Sequence, residues 1–217
     1  MATRKKAAEK QNEAGLAHFN NWEMEKAIAA FQSAVDADPD NPEYLLNLAR
    51  VFARSGDYEQ AMPALGRYLQ VETAGDVAAR FERLFSSSLD EVETLLIEGM
   101  RRLDLSIAQI GKGIQMWLEF RITLGRRPFR VPKPELWAAA ITYAVVKVNF
   151  VNLRRLDVAD AYGVTERSLK EKYDEVVQML DLMPADYRYF AGEENPLDKL
   201  VEAARLLEEL DRDFQQD

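Results

Sequence analysis

Apolar residues recur three and four positions apart through most of this chain, which is the period of amphipathic helices and not the alternation of strands. Four helices are predicted over residues 7–20, 24–37, 42–55 and 58–71, and a fifth over about 76–85, with Val77, Phe81, Leu84 and Phe85 on one stripe. The segment Asp36–Pro42 carries two prolines that close one helix and admit the next. Ser86-Ser87-Ser88 interrupts the pattern, and Ser88 with Glu91 has capping-box spacing for a helix over about 89–102. The next helix spans about 106–124, with Ile107, Ile110, Ile114, Trp117 and Leu118 at helical spacing, and ends in a loop holding Pro128, Pro132 and Pro134. Residues 136–146 carry no charge. A helix that is apolar on every side is surrounded on every side, so this one is expected at the centre of a second domain. After Pro196 a last helix over 196–215 sets Leu200, Ala204, Leu207, Leu210 and Phe214 against an acidic face.

The first four helices repeat. Gly15, Ala27, Phe31, Ala34 and Pro39 form a frame, and a shift of thirty-four residues places small and bulky residues in the same register at Ala49, Ala61, Leu65 and Tyr68, with Gly56-Asp57-Tyr58 at an internal turn. Small residues are needed where antiparallel helices cross closely, and bulky ones where a unit leans on its neighbour. The period and frame resemble the tetratricopeptide repeat family. The resemblance implies two stacked helix pairs, with the helix at 76–85 as a cap. Trp22 departs from the pattern, standing where the internal turn usually has glycine, and so does Pro63 in the second turn of its helix. Two units are fewer than the ~3 that such an array needs, so the stack must borrow core from the chain that follows.

The fold class expected is therefore all-α, in two parts: a repeat domain with its cap over 7–86, and a compact helical domain over 88–190, followed by the terminal helix at 196–215. The chain of 217 residues is long enough for both. It has no cysteine, which removes disulfides, thiolate metal sites and thiol nucleophiles. No window reaches the ~18 apolar residues of a membrane span, and the basic N-terminus leads into no signal-like apolar core, so a cytoplasmic location away from membranes is expected. The net charge of −9 is unevenly spread: −6 over residues 1–120, +6 over 121–170 and −9 over 171–217. The net basic charge is thus confined to the middle stretch.

That stretch contains Val158-Ala159, Gly163-Val164-Thr165, Leu169 and Tyr173 over 154–181, the spacing of a helix-turn-helix. Alanine permits close approach of the two helices, glycine supplies a left-handed turn, Thr165 caps the second helix and Leu169 fills the angle between them. With Pro134, Glu135 and Ala138-Ala139-Ala140-Ile141-Thr142-Tyr143, residues 134–181 resemble one cyclin-type repeat of the transcription factor IIB kind. The resemblance implies that Thr165, Arg167, Ser168 and Lys170 would face a major groove. Arg121, Arg126, Arg127, Arg130 and Lys133, interleaved with Phe129, could hold phosphates. Glu166, Glu171 and Asp174 oppose that use, and two readings stay open: nucleic-acid contact, or a compact joint between three helices beside a solvated loop.

No enzyme is expected. His18 is the only histidine and stands where a repeat helix places an aromatic, with no nucleophile pattern to make a catalytic base of it. Asp36, Asp38 and Asp40 alternate as in a calcium loop, but Asn41 and Asn47 replace the glycine and glutamate that such a loop needs, so no metal and no cofactor is implied. Gly111-Lys112-Gly113 lacks the rest of a phosphate loop, and Glu193-Glu194 and Glu208-Glu209 read as solvated acids. The site that remains is the groove of the repeats. The family register lines it with Asn12, Leu16 and Phe19 from one unit and Leu46, Asn47, Arg50, Ala53 and Arg54 from the next. Asparagine and basic side chains there partly resemble the arrangement by which the family holds a peptide carboxylate, without the basic pair of a third unit. The expected function is non-enzymatic binding of a protein or peptide partner in this groove. The alternatives are a transcription-associated DNA binder and a structural homodimer joined through the terminal helix.

Overall fold

The computed structural model describes residues 2–82, 90–127, 129–192 and 205, and among them it is helical with no strand. Ten helices occur among the described residues: α1 Ala2–Asn20, α2 Met24–Ala37, α3 Pro42–Arg54, α4 Tyr58–Val71, α5 Gly75–Glu82, α6 Glu91–Arg102, α7 Ile107–Thr123, α8 Pro134–Val148, α9 Arg155–Ala161 and α10 Glu166–Leu180. The protein is all-α, as its periodicity predicts. The end of the expected fifth helix, the serine run and, Arg205 apart, the terminal helix at 196–215 lie outside the described residues. Two compact units form: Met1–Ser88 with Leu118–Phe129, and Leu89–Trp117 with Arg130–Asp217.

In the first unit the helices pair antiparallel, α1 with α2 and α3 with α4, and the thirty-four-residue frame is its core. Ala27, Phe31, Ala34, Ala49, Ala61, Leu65 and Tyr68 are all buried. Gly15 is required by the packing, since a Cβ there would lie 2.6 Å from the ring of Phe31. Asn41 caps α3 through the Glu43 amide, with Pro42 at its first position, and Asp57 caps α4 through the Gln60 amide. At the first internal turn Trp22 adopts φ 60, the left-handed conformation that glycine takes at Gly56 with φ 82 in the second unit of the repeat. Helix α4 runs through Pro63. The borrowed core is supplied by Leu118–Phe129: Ile122 is buried in the same cluster as the repeat residues, and Leu118 packs against it. The expected boundary near residue 88 thus misses a segment that the two-pair stack needs to cover its apolar surface.

In the second unit α8 is the central element, in contact with α6, α9 and α10. Trp137, Ala138, Ala139, Ala140, Ile141, Ala144, Val145 and Val146 on it are all buried. Trp137 meets Trp117 with ring centroids 5.9 Å apart. The capping box of α6 is made by Asp90 and Glu93, while Ser88 of the expected box lies outside the described residues. Asp90 also accepts from the indole of Trp117 at 3.0 Å, so one carboxylate closes the helix and ties it to α7. Gly99 faces Tyr162 so closely that a Cβ would come within 2.1 Å of the ring, and the Tyr162 hydroxyl meets the Thr142 hydroxyl at 2.6 Å. Val158, Ala159 and Leu169 are fully buried, Gly163 takes φ 64 and Thr165 accepts from the Ser168 amide. A left-handed glycine and a threonine cap thus lie between α9 and α10. Gly111-Lys112-Gly113 is helical: Lys112 donates to the Arg188 carbonyl at 2.8 Å, and Gly113 gives room to the Met100 sulfur.

Candidate partner-binding face of the repeats

Of the eight residues expected to line the groove, hydrogen bonds, ring contacts and a shared cavity connect seven on the face made by α1 and α3, and Ala53 is placed only as a buried residue of α3. Asn12 and Asn47 are buried and bonded to each other, Asn47 Nδ2 donating to Asn12 Oδ1 at 3.0 Å, while Asn12 donates to Glu43 at 3.3 Å. Phe19, Leu46 and Ala53 are also buried. At the C-terminal end of α3 this face is already covered by the chain itself. Arg54 Nε lies 3.2 Å from Glu119 Oε1, with only 6% and 0% of the two side chains exposed. The Arg54 guanidinium also sits 4.9 Å from the ring centroid of Phe19 and 5.3 Å from that of Trp22.

Toward the N-terminal half of α3 the face is open. A cavity of about 440 Å³ lies between Leu16, Glu43, Leu46, Asn47 and Arg50 on one side and the loop Thr123–Arg127 on the other. Gly125, at φ 59, is the point where that loop passes the Leu46 side chain. Of the two charged α3 side chains that line this cavity, Glu43 and Arg50, the cation is Arg50. It donates from Nη1 to Asn47 Oδ1 at 3.1 Å, and its buried Nε makes no hydrogen bond. Burial pushes its guanidinium down to about 10, and the charges of Arg54 and Arg127 push in the same direction. A cation held among cations and desolvated is a strong binder of any anion that reaches it.

Arg126 is engaged within the same unit, 3.0 Å from Glu72. Burial alone would raise the Glu72 carboxyl, but hydrogen bonds from Tyr68 and the Ala74 amide, with the Arg126 charge, hold it below the usual carboxylate range. Phe129 stacks edge-on against Phe120, centroids 5.8 Å apart. The basic run does not belong to one body: Arg121, Arg126 and Arg127 count with the first unit, Arg130 and Lys133 with the second. On α10, Arg167 pairs with Glu171 at 3.1 Å and Lys170 with Asp174 at 2.5 Å, while Arg155 of α9 pairs with Glu166 at 2.6 Å. Thr165 and Ser168 bond each other at 2.8 Å. The four residues expected to face a groove of DNA are thus occupied with acids and caps of their own helix. His18 meets Glu23 at 2.6 Å and fastens the Trp22 turn. Asp36 accepts from Gln32 and Asp38 from Asn41.

Glu119, Glu43 and Gly125 are site residues that the sequence alone did not single out. For Glu119 a signal existed: it is the one acid between Met116 and Leu124, where the other positions are apolar, arginine or threonine.

Antiparallel helix pairs of fixed period, with alanines at the crossings and a lateral face lined by asparagine and arginine, define a helical-repeat protein. Residues 12–77 match the family model described as tetratricopeptide repeat, whose members generally mediate protein–protein interaction. No curated protein and no solved structure matches the chain. Among the described residues no helix is long and apolar enough to cross a membrane.

Proposed function

We propose that the repeat unit is a non-catalytic recognition module that takes an acidic segment of a partner protein on the α1–α3 face, with one carboxylate of that segment entering the cavity beside Arg50. The observation that carries this reading is the Arg50 guanidinium: it lines an open cavity that also holds Glu43, its buried Nε lacks a hydrogen-bond partner, and burial with the charges of Arg54 and Arg127 disfavours its charge. A charge-assisted hydrogen bond to such a group is worth about 1.5–3 kcal/mol, which is roughly tenfold to more than a hundredfold in affinity. Leucines 16 and 46 supply apolar contact on the partner's other side chains. Leu118–Phe129 shortens the face to a stretch that suits a short peptide segment and not a long helix.

The test is fluorescence anisotropy with labelled peptides ending in Glu-Asp, carrying either a free or an amidated C-terminus, against a lysine-rich control. Binding of the acidic peptides that falls at least tenfold in Arg50→Met, and is unchanged in Arg167→Met, is the expected result. Equal binding by the parent chain and Arg50→Met would overturn the assignment. The thermal midpoint of Arg50→Met should not fall, since the change removes a desolvated charge.

A further inference from the structure

A second cavity, independent of the repeats, lies wholly within the second unit. It measures about 470 Å³ and is walled by Ala144 and Val148 of α8, Val177 of α10 and Leu182 after it. This is the size and character of a small-molecule site, apolar with few polar groups to fix orientation. Two polar side chains reach it, Lys147 and Tyr173. Neither makes a hydrogen bond or ion pair among the described residues. Burial, with Tyr143 and Asp174 nearby, raises the Tyr173 phenol, so it is an O–H donor throughout the neutral range.

The rim carries the second observation. Helix α8 ends in a left-handed turn, with the Val151 amide donating to the Val146 carbonyl at 3.0 Å, and the residue in the left-handed position is Phe150 at φ 53. Glycine adopts that conformation freely and phenylalanine does not. Phe150 is 43% exposed although its ring meets Phe190 edge-on at 6.5 Å, Met183 is 47% exposed, and both border the cavity. Two large apolar side chains left partly exposed at the mouth of an apolar cavity, one of them against its backbone preference, mark a surface suited to an apolar ligand.

We propose that this cavity binds a medium-chain aliphatic carboxylate, its chain lying along Ala144, Val148 and Val177 under Phe150 and Met183, its carboxylate met by the Lys147 ammonium and the Tyr173 hydroxyl. Charge complementarity selects this occupant: the exposed Lys147 ammonium attracts an anion and repels a cation, and an uncharged apolar molecule gains nothing from it.

Isothermal titration of the full chain with decanoate, decanol and acetate tests the assignment. Decanoate should bind saturably at one site and acetate should not. Lys147→Met should weaken decanoate at least tenfold while leaving decanol unchanged, and Val177→Trp, which fills the cavity, should abolish both. Should Val177→Trp fail to fold, Phe150→Gly serves in its place: it frees the strained turn, and its decanoate affinity should fall while the circular dichroism spectrum is kept. Absence of saturable decanoate binding, binding untouched by the cavity variants, or equal loss of decanoate and decanol in Lys147→Met would each overturn the proposal. Occupation of the cavity by a protein segment instead would appear as the first of these.

Discussion

Replacing Glu119 by alanine is the sharpest test of the claim that Leu118–Phe129 is part of the repeat unit. In the native chain the Glu119 side chain is fully buried and Arg54 is 6% exposed, 3.2 Å away. Deleting the acid leaves a guanidinium out of water, and breaking a buried pair in this one-sided way costs about 3–5 kcal/mol. Arg54 keeps the ring faces of Phe19 and Trp22, each contact worth about 0.5–2 kcal/mol, so the cost belongs toward the lower end. Urea unfolding of the full chain reads this directly. With a slope of about 1–3 kcal/mol per molar, the midpoint of the repeat unit should fall by roughly 1–3 M. The control is Glu171→Ala, which removes the partner of Arg167, a side chain 90% exposed, and should cost no more than about 1 kcal/mol. The double replacement Arg54→Leu with Glu119→Leu should recover most of the loss, because apolar residues of similar volume substitute for a buried pair at little cost. If Glu119→Ala is no more destabilising than Glu171→Ala, the segment does not seal the α1–α3 face and the borrowed-core account fails.

Two further outcomes are expected. Burial pushes the Tyr162 phenol up to about 12, against the opposing hydrogen bond from Thr142 and the Arg102 charge. A folded value above the unfolded one of about 10 means that its contribution is fully present below pH ~10 and is lost as pH rises toward 12, amounting to about 2–3 kcal/mol. Alkaline unfolding monitored by tyrosinate absorbance should therefore begin above pH ~10 and shift upward in Tyr162→Phe. Pro63 lies inside α4 on its exposed side. Pro63→Ala should stabilise the repeat unit by about 2 kcal/mol, the ~3 kcal/mol cost of an interior proline less the ~1 kcal/mol by which proline restricts the unfolded chain. Thermal melting checks it, and a lowered midpoint refutes it.

The repeat frame was legible in the sequence because its constraints are local in register. An alanine at a helix crossing and a bulky residue at a unit boundary recur at fixed spacing, and every frame residue except the exposed Pro39 is buried. The uncharged run of α8 was legible for a related reason: full burial on all sides leaves no position for a charge. The turn before α10 could be read from Gly163, Thr165 and Leu169, since caps and left-handed turns depend on residues close in sequence. The Asp90 cap is hidden in the sequence because Ser88 and Glu91 have the same spacing two residues earlier, and the bond from the Trp117 indole to Asp90 is visible only in the folded chain.

Sequence by itself determined that this protein is helical, that its first part is a stack of paired helices, and that asparagine and arginine lie along one side of that stack. These follow from periodicities that span one or two turns of helix. Tertiary structure alone decided how much of that side is open. Glu119 covers Arg54 from sixty-five residues away in sequence, and the loop at Thr123–Arg127 leaves Arg50 a cavity instead of a counter-charge. No spacing rule encodes such a meeting, because the same charged residue costs little in water and several kcal/mol when buried, and only the folded chain settles which of the two it is.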